Sequence, residues 1–68
     1  MDKEFVLHIT TENAIFYMSF FECGVPMFSQ TPELAMRFTR ERAEKLKNIL
    51  RKQYPNHDVR VGQLRIFD

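Results

Sequence analysis

Apolar and polar side chains alternate from Phe5 to Thr10. Phe5, Leu7 and Ile9 fall on one side of an extended chain; Val6, His8 and Thr10 fall on the other. A period of two with β-branched support predicts a strand. Thr11-Glu12-Asn13 is a polar break, and asparagine tolerates turn conformations. The run Ala14-Ile15-Phe16-Tyr17-Met18-Ser19-Phe20-Phe21 follows. Its length between two breaks predicts a second strand, paired with the first as a hairpin. Glu22-Cys23-Gly24-Val25-Pro26 ends it. Gly24 can supply a positive φ, and Pro26 cannot donate to a ladder. Met27-Phe28-Ser29 then reads as a short return or edge strand.

The period changes after residue 30. Thr31-Pro32-Glu33 suits a turn or a helix start with proline at the first helical position, so 31–37 reads as one short helical turn or an irregular segment. Thr39 is placed to cap the main helix, over 39–54. Phe38 and Ala43 stand at hydrophobic-staple spacing across that start. Ala43, Leu46, Leu50 and Tyr54 recur at three- and four-residue steps, with Ile49 beside them. That is one apolar stripe on a helix. Pro55 stops it, because the residue before a proline avoids the helical region.

Val59 to Phe67 returns to alternation, with a slip of phase near Gly62. A bulge there would put Val59, Val61, Leu64 and Ile66 on one face. The order is β-β-(short turn)-α-β. It predicts an α+β domain spanning 1–68, with one helix packed on a three-stranded, mainly antiparallel sheet.

A chain of 68 residues buries about 60% of its unfolded surface, so its core is modest. Domains this small often need a disulfide, a metal or a partner subunit. A single cysteine, Cys23, makes no internal disulfide. His8 and His57 are far apart, with no cysteine near either at zinc-site spacing. No cofactor or metal is expected. An aromatic-rich core, from seven Phe and two Tyr, or self-association remains. The lone cysteine and the acidic start Met1-Asp2-Lys3-Glu4 point to a reducing, cytoplasmic setting. The longest apolar run is far short of the roughly 20 residues a membrane helix needs.

Charge is distributed unevenly. Residues 1–35 carry one lysine against five carboxylates, a net −4; residues 36–68 carry nine cations against four carboxylates, a net +5. On a helix, Arg40, Lys47 and Arg51 share one flank, with Glu44 between them, and Arg42, Lys45 and Lys52 share the other. This is either a solvated face of good helix formers or a phosphate-binding surface. Glu41 and Glu44 dilute it, and no Lys/Arg-Gly-Phe pattern of an RNA-binding sheet occurs.

Catalysis needs a nucleophile with a base, paired carboxylates or a metal. None of these motifs is present, and the chain reads as a binding protein rather than an enzyme. Cys23 reads as a small semi-buried side chain at a strand end, His57-Asp58 as a solvated loop. The second strand offers more. In strict alternation Phe16, Met18 and Phe20 face one way, and Tyr17 and Phe21 the other. One helix covers only one face. The other is then an interface, with a partner or a second copy, or is covered by Met27, Phe28, Leu34, Met36 and Phe38 as a second layer.

Gly24-Val25-Pro26-Met27-Phe28-Ser29, then Ala35-Met36-Arg37-Phe38-Thr39, Glu41-Arg42-Ala43 and Tyr54-Pro55 resemble small accessory proteins of bacteriophages and prophages. Those show a hairpin, an A-x-x-F-T/S-x-E-x-A helix start, Y-P at the helix end and a last strand. The resemblance covers most of the chain but rests on capping and staple signals. It implies a cytoplasmic protein that binds and inhibits a host enzyme or defence complex, as anti-CRISPR proteins do. It carries over no functional residues. DNA mimicry is disfavoured, because such proteins are strongly acidic. Nucleic-acid binding through the basic helix is the alternative, and a structural homo-oligomer the third reading.

Overall fold

The structure, a computed structural model, describes residues 4–63. Its elements are β1 (Phe5–Thr10), β2 (Ile15–Glu22), β3 (Val25–Ser29), a 3-10 turn (Pro32–Leu34), α1 (Arg40–Gln53) and β4 (Val59–Gln63). The four strands form one sheet in the order β3-β2-β1-β4, and every pair is antiparallel. The fold is α+β, as expected. The sheet has four strands rather than three because Val25–Ser29 pairs along β2 as a full edge strand. Pro26 is tolerated there because an edge strand has an unpaired side.

Each connection has a local cause. In the β1–β2 turn the Thr11 hydroxyl accepts from the backbone N–H of Asn13 and of Ala14, at 3.3 and 3.1 Å. The β2–β3 turn has two central residues, Cys23 at φ 53° and Gly24 at φ 80°. Two positive φ values in a two-residue hairpin loop are the signature of a type I′ turn, whose twist matches that of the flanking strands. Gly24 takes its φ without strain. Cys23 carries a Cβ into the left-handed region. It is exposed, not semi-buried, because a turn tip offers nothing to cover it.

Strict alternation fails in β2. Its register with β3 slips between Met18 and Phe20, a bulge centred on Ser19. Residues paired across strands share a face. Met18 pairs with Phe28 and Phe21 with Pro26, whereas Tyr17 pairs with Ser29 and Phe20 with Met27. Phe21 therefore shares the face of Phe16 and Met18, and Phe20 shares that of Tyr17. The expected sets were Phe16, Met18 and Phe20 against Tyr17 and Phe21. The bulge exchanges Phe20 and Phe21, because one extra residue reverses the phase of everything after it.

Next to the bulge the sheet opens. Pairing of β1 with β2 spans His8–Tyr17 to Thr10–Ile15. Beyond it the strands part, and residues 35–38 fill the gap. The Met36 N–H donates to the Met18 carbonyl at 2.9 Å, and Phe38 exchanges two backbone bonds with Phe5, at 2.8 and 3.0 Å. Phe38 is buried there and Met36 packs on the core, whereas Leu34 is exposed. The segment thus plugs the sheet instead of layering over a face.

The helix begins as expected. The Thr39 hydroxyl accepts from the Arg42 N–H at 3.3 Å, and the staple partners Phe38 and Ala43 lie in one buried cluster. Leu7, Met18, Leu50 and Val59 complete that cluster. Full burial of such side chains contributes about 1.5–3 kcal/mol each. Leu46 and Tyr54 are half-buried against it, but Ile49 is half exposed. β4 pairs with β1 without a break through Gly62 and Gln63, so no bulge occurs at Gly62. A Cβ there would stand 2.9 Å from the His8 ring, and that close approach is what glycine permits. Leu64 and Ile66 lie outside the described residues.

Candidate functional site

The helix packs against β1 and β4. That leaves the β2–β3 half of the sheet without a helix above it. Where α1 ends, an open groove of about 360 Å³ remains. The sheet contributes Ile9, Phe16 and Val59, the β3 edge contributes Val25, Pro26 and Phe28, and the helix end contributes Leu50, Tyr54 and His57. Nearly all of these are apolar. The Tyr54 and His57 rings lie 6.3 Å apart in a tilted arrangement. Such a concavity suits an apolar anchor from a ligand or a protein partner.

The expected partner-binding residues divide around this groove. Phe16 lines it. Met18 is fully buried and can meet no partner, because the 35–38 plug and the core close over it. Phe20 and Phe21 are 51% and 43% exposed, on opposite faces of the hairpin tip. Tyr17 is half-buried on the outer face, 6.5 Å from the His8 ring. The hairpin tip, not one face of the strand, presents the apolar surface, and Val25, 50% exposed, belongs to it. Ile9 and Leu50 also line the groove, although their periodicity marks only core. Nothing in a linear pattern shows that a helix stops short of the residues beneath it.

The basic helix is likewise divided. Arg40 stands over the Phe5 ring, 5.1 Å from its centroid. Lys47 pairs with Glu44 at 2.9 Å. Arg51 donates to the Val59 carbonyl and to Asp58, both at 2.9 Å. Arg40 and Arg51 tie the helix to the sheet, whereas the Lys47–Glu44 pair lies within the helix; Asp58 also receives Arg60 at 2.9 Å. The expected solvated loop His57-Asp58 is exposed, with Asp58 held between two guanidinium groups. Arg42, Lys45 and Lys52 are exposed and make no ion pair among the described residues.

On the outer face His8 lies between Tyr17 of β2 and Arg60 of β4. Its Nδ1 is buried without a hydrogen-bond partner. Burial lowers its pKa below the ordinary 6.5, Arg60 lowers it further, and Asp58 opposes both. Among the described residues the groups that flank this imidazole are a phenol and a guanidinium. Among the described residues no three His, Cys, Asp or Glu side chains are grouped to hold a metal, and no helix is long and apolar enough to cross a membrane. No family model matches the chain, and comparison with curated proteins and with solved structures found no match.

Proposed function

We propose that the chain is a small protein-binding module whose recognition surface is the groove at the end of α1 together with the exposed tip of the β2–β3 hairpin. One observation carries this reading. An apolar groove lined by Val25 and Pro26 stands open next to the exposed Phe21, which pairs with Pro26. Contiguous exposed apolar surface on so small a domain is costly unless a partner covers it. The resemblance to phage accessory proteins suggests a host protein as partner and inhibition as the outcome, in the cytoplasm of a bacterium. The groove's described lining is apolar apart from Thr11, Tyr54 and His57, which suits binding.

Nucleic-acid binding is the second reading, favoured by the uncommitted Arg42, Lys45 and Lys52. It is weaker because Arg40, Lys47 and Arg51 are engaged within the fold. The test is capture from bacterial lysate, with and without nuclease, using the wild type, Val25→Asp, and Lys45→Glu with Lys52→Glu. A protein that survives nuclease and is lost with Val25→Asp supports the module. Capture that vanishes with nuclease and with the lysine variant, but persists with Val25→Asp, overturns it.

A further inference from the structure

α1 carries six cations against two carboxylates, a net +4, and the cations divide by what they touch. Arg40 stands over Phe5, Lys47 pairs with Glu44, and Arg51 is held by Val59 and Asp58. Arg42, Lys45 and Lys52 are exposed and make no ion pair among the described residues. With Ile49 they follow one another at steps of three, four and three residues, so they line up as one stripe. At about 100° per residue the stripe lies on the side of α1 away from the buried Ala43 and Leu50. Ile49 stands in its middle, 50% exposed. Glu41, one turn before Lys45, is exposed at its border and leaves it positive.

From Arg42 to Lys52 the stripe runs about 15 Å along the helix, nearly three turns. Steps of three and four are the spacing by which one helix meets another along a seam. Arg42 and Ile49, like Lys45 and Lys52, are seven apart and hold equivalent places on that seam. The isoleucine gives a partner an apolar centre to pack on. The stems of lysine and arginine extend that apolar surface while their charged heads reach past it. What the seam lacks is negative charge. A nucleic-acid backbone rewards the cations by releasing its counterions, but has nothing apolar for Ile49 to meet. A second copy offers the wrong sign. α1 is the one α-helix among the described residues, it is basic, and two such stripes side by side oppose like charges.

We propose that Arg42, Lys45, Ile49 and Lys52 form a docking surface for an acidic amphipathic helix of another protein. An apolar side chain of that helix packs on Ile49, and its carboxylates meet the three cations. The stripe shares no residue with the groove lining, so this is a second surface and does not rest on the groove reading. Complementary charge sets which partner is accepted more than how tightly it is held, and salt weakens a contact made at an exposed seam.

A synthetic helical peptide with a row of leucines bordered by glutamates is the probe, titrated with the protein by fluorescence anisotropy. The comparison probes are the same peptide with lysines in place of the glutamates, and labelled single-stranded and duplex oligonucleotides. The variants are Lys45→Glu with Lys52→Glu, Ile49→Gln, and Val25→Asp in the groove, all at exposed positions, with circular dichroism confirming that each folds. The glutamate peptide is expected to bind the wild type, and less as salt rises. The lysine variant and Ile49→Gln are each expected to weaken it by about tenfold or more, and Val25→Asp to leave it unchanged. The lysine peptide is expected to bind the charge-reversed variant in preference to the wild type. A glutamate peptide that does not bind the wild type overturns the proposal. So does binding that Ile49→Gln leaves intact, since charge alone then accounts for it. Binding lost with Val25→Asp overturns it too, by placing the peptide in the groove. Oligonucleotides that bind more tightly than the peptide, and are lost with the lysine variant, assign the stripe to nucleic acid instead.

Discussion

The half of the molecule made of α1, β1 and β4 differs from the β2–β3 hairpin in where its apolar side chains go. In the first half Leu7, Ala43, Leu50 and Val59 are almost wholly buried, and Arg51 bridges helix to strand through the Val59 carbonyl and Asp58. In the hairpin, Phe20, Phe21 and Val25 stand about half in water, around a turn whose Cys23 holds a left-handed conformation. The hairpin is the more apolar of the two in sequence, yet it leaves more of its large side chains in water. What separates them is that β2 leaves β1 after Tyr17, so the hairpin runs past the strands against which α1 packs. Stability is concentrated on one side, and recognition surface is left on the other.

The largest expected effect lies in the first half. Leu50→Ala removes a fully buried side chain between helix and sheet, and is expected to cost about 2–5 kcal/mol in denaturant unfolding. A midpoint equal to wild type would show that the helix does not carry the core. A second effect depends on pH. The pKa of His8 is lower in the fold than its ordinary 6.5, so the unfolded chain binds the extra proton more readily. Stability is therefore fully present above about pH 6.5 and falls as the pH drops from there toward the lowered folded-state value. His8→Gln is expected to flatten that part of the profile, measured as unfolding midpoint against pH; an unchanged slope would remove His8 as its source.

Smaller effects belong to the hairpin. Cys23→Asn places a residue that favours the left-handed region in the type I′ turn, and is expected to stabilise by about 0.5 kcal/mol in the same unfolding assay. A loss of stability would mean that the thiol makes a contact worth more than the strain. Phe21→Glu sits at a half-exposed position and is expected to change stability by less than about 0.5 kcal/mol. A loss as large as that of Leu50→Ala would make Phe21 part of the core and erase the distinction between the two halves.

Much of this was legible in the sequence. The Thr39 cap, the Phe38–Ala43 staple, the apolar stripe and the Tyr54-Pro55 stop are local signals, and α1 follows them. β1 and β4 follow from alternation, although in β1 the neighbours Val6 and Leu7, on opposite faces, are both buried. The β3 strand was half visible, because Pro26 weakens a strand signal that an edge position permits. The Ser19 bulge was not visible. Ala14–Phe21 is apolar on both faces, so a change of phase within it alters no hydrophobic pattern. That hidden step misassigned Phe20 and Phe21 and hid the groove. Gly62 misled in the opposite sense: it suggests a bulge, but serves the ring of His8.

Amide hydrogen exchange under native conditions compares the two halves most directly. The amides that bond β1 to β4 around Leu7, Ile9, Val59 and Val61, and those of α1 around Leu50, are expected to exchange only through global unfolding. The amides of Phe20 to Val25 are expected to exchange through local opening at distinctly lower free energy. Hairpin amides protected to the same level as those of β1 would contradict the division of the molecule into a stabilising half and a recognising half.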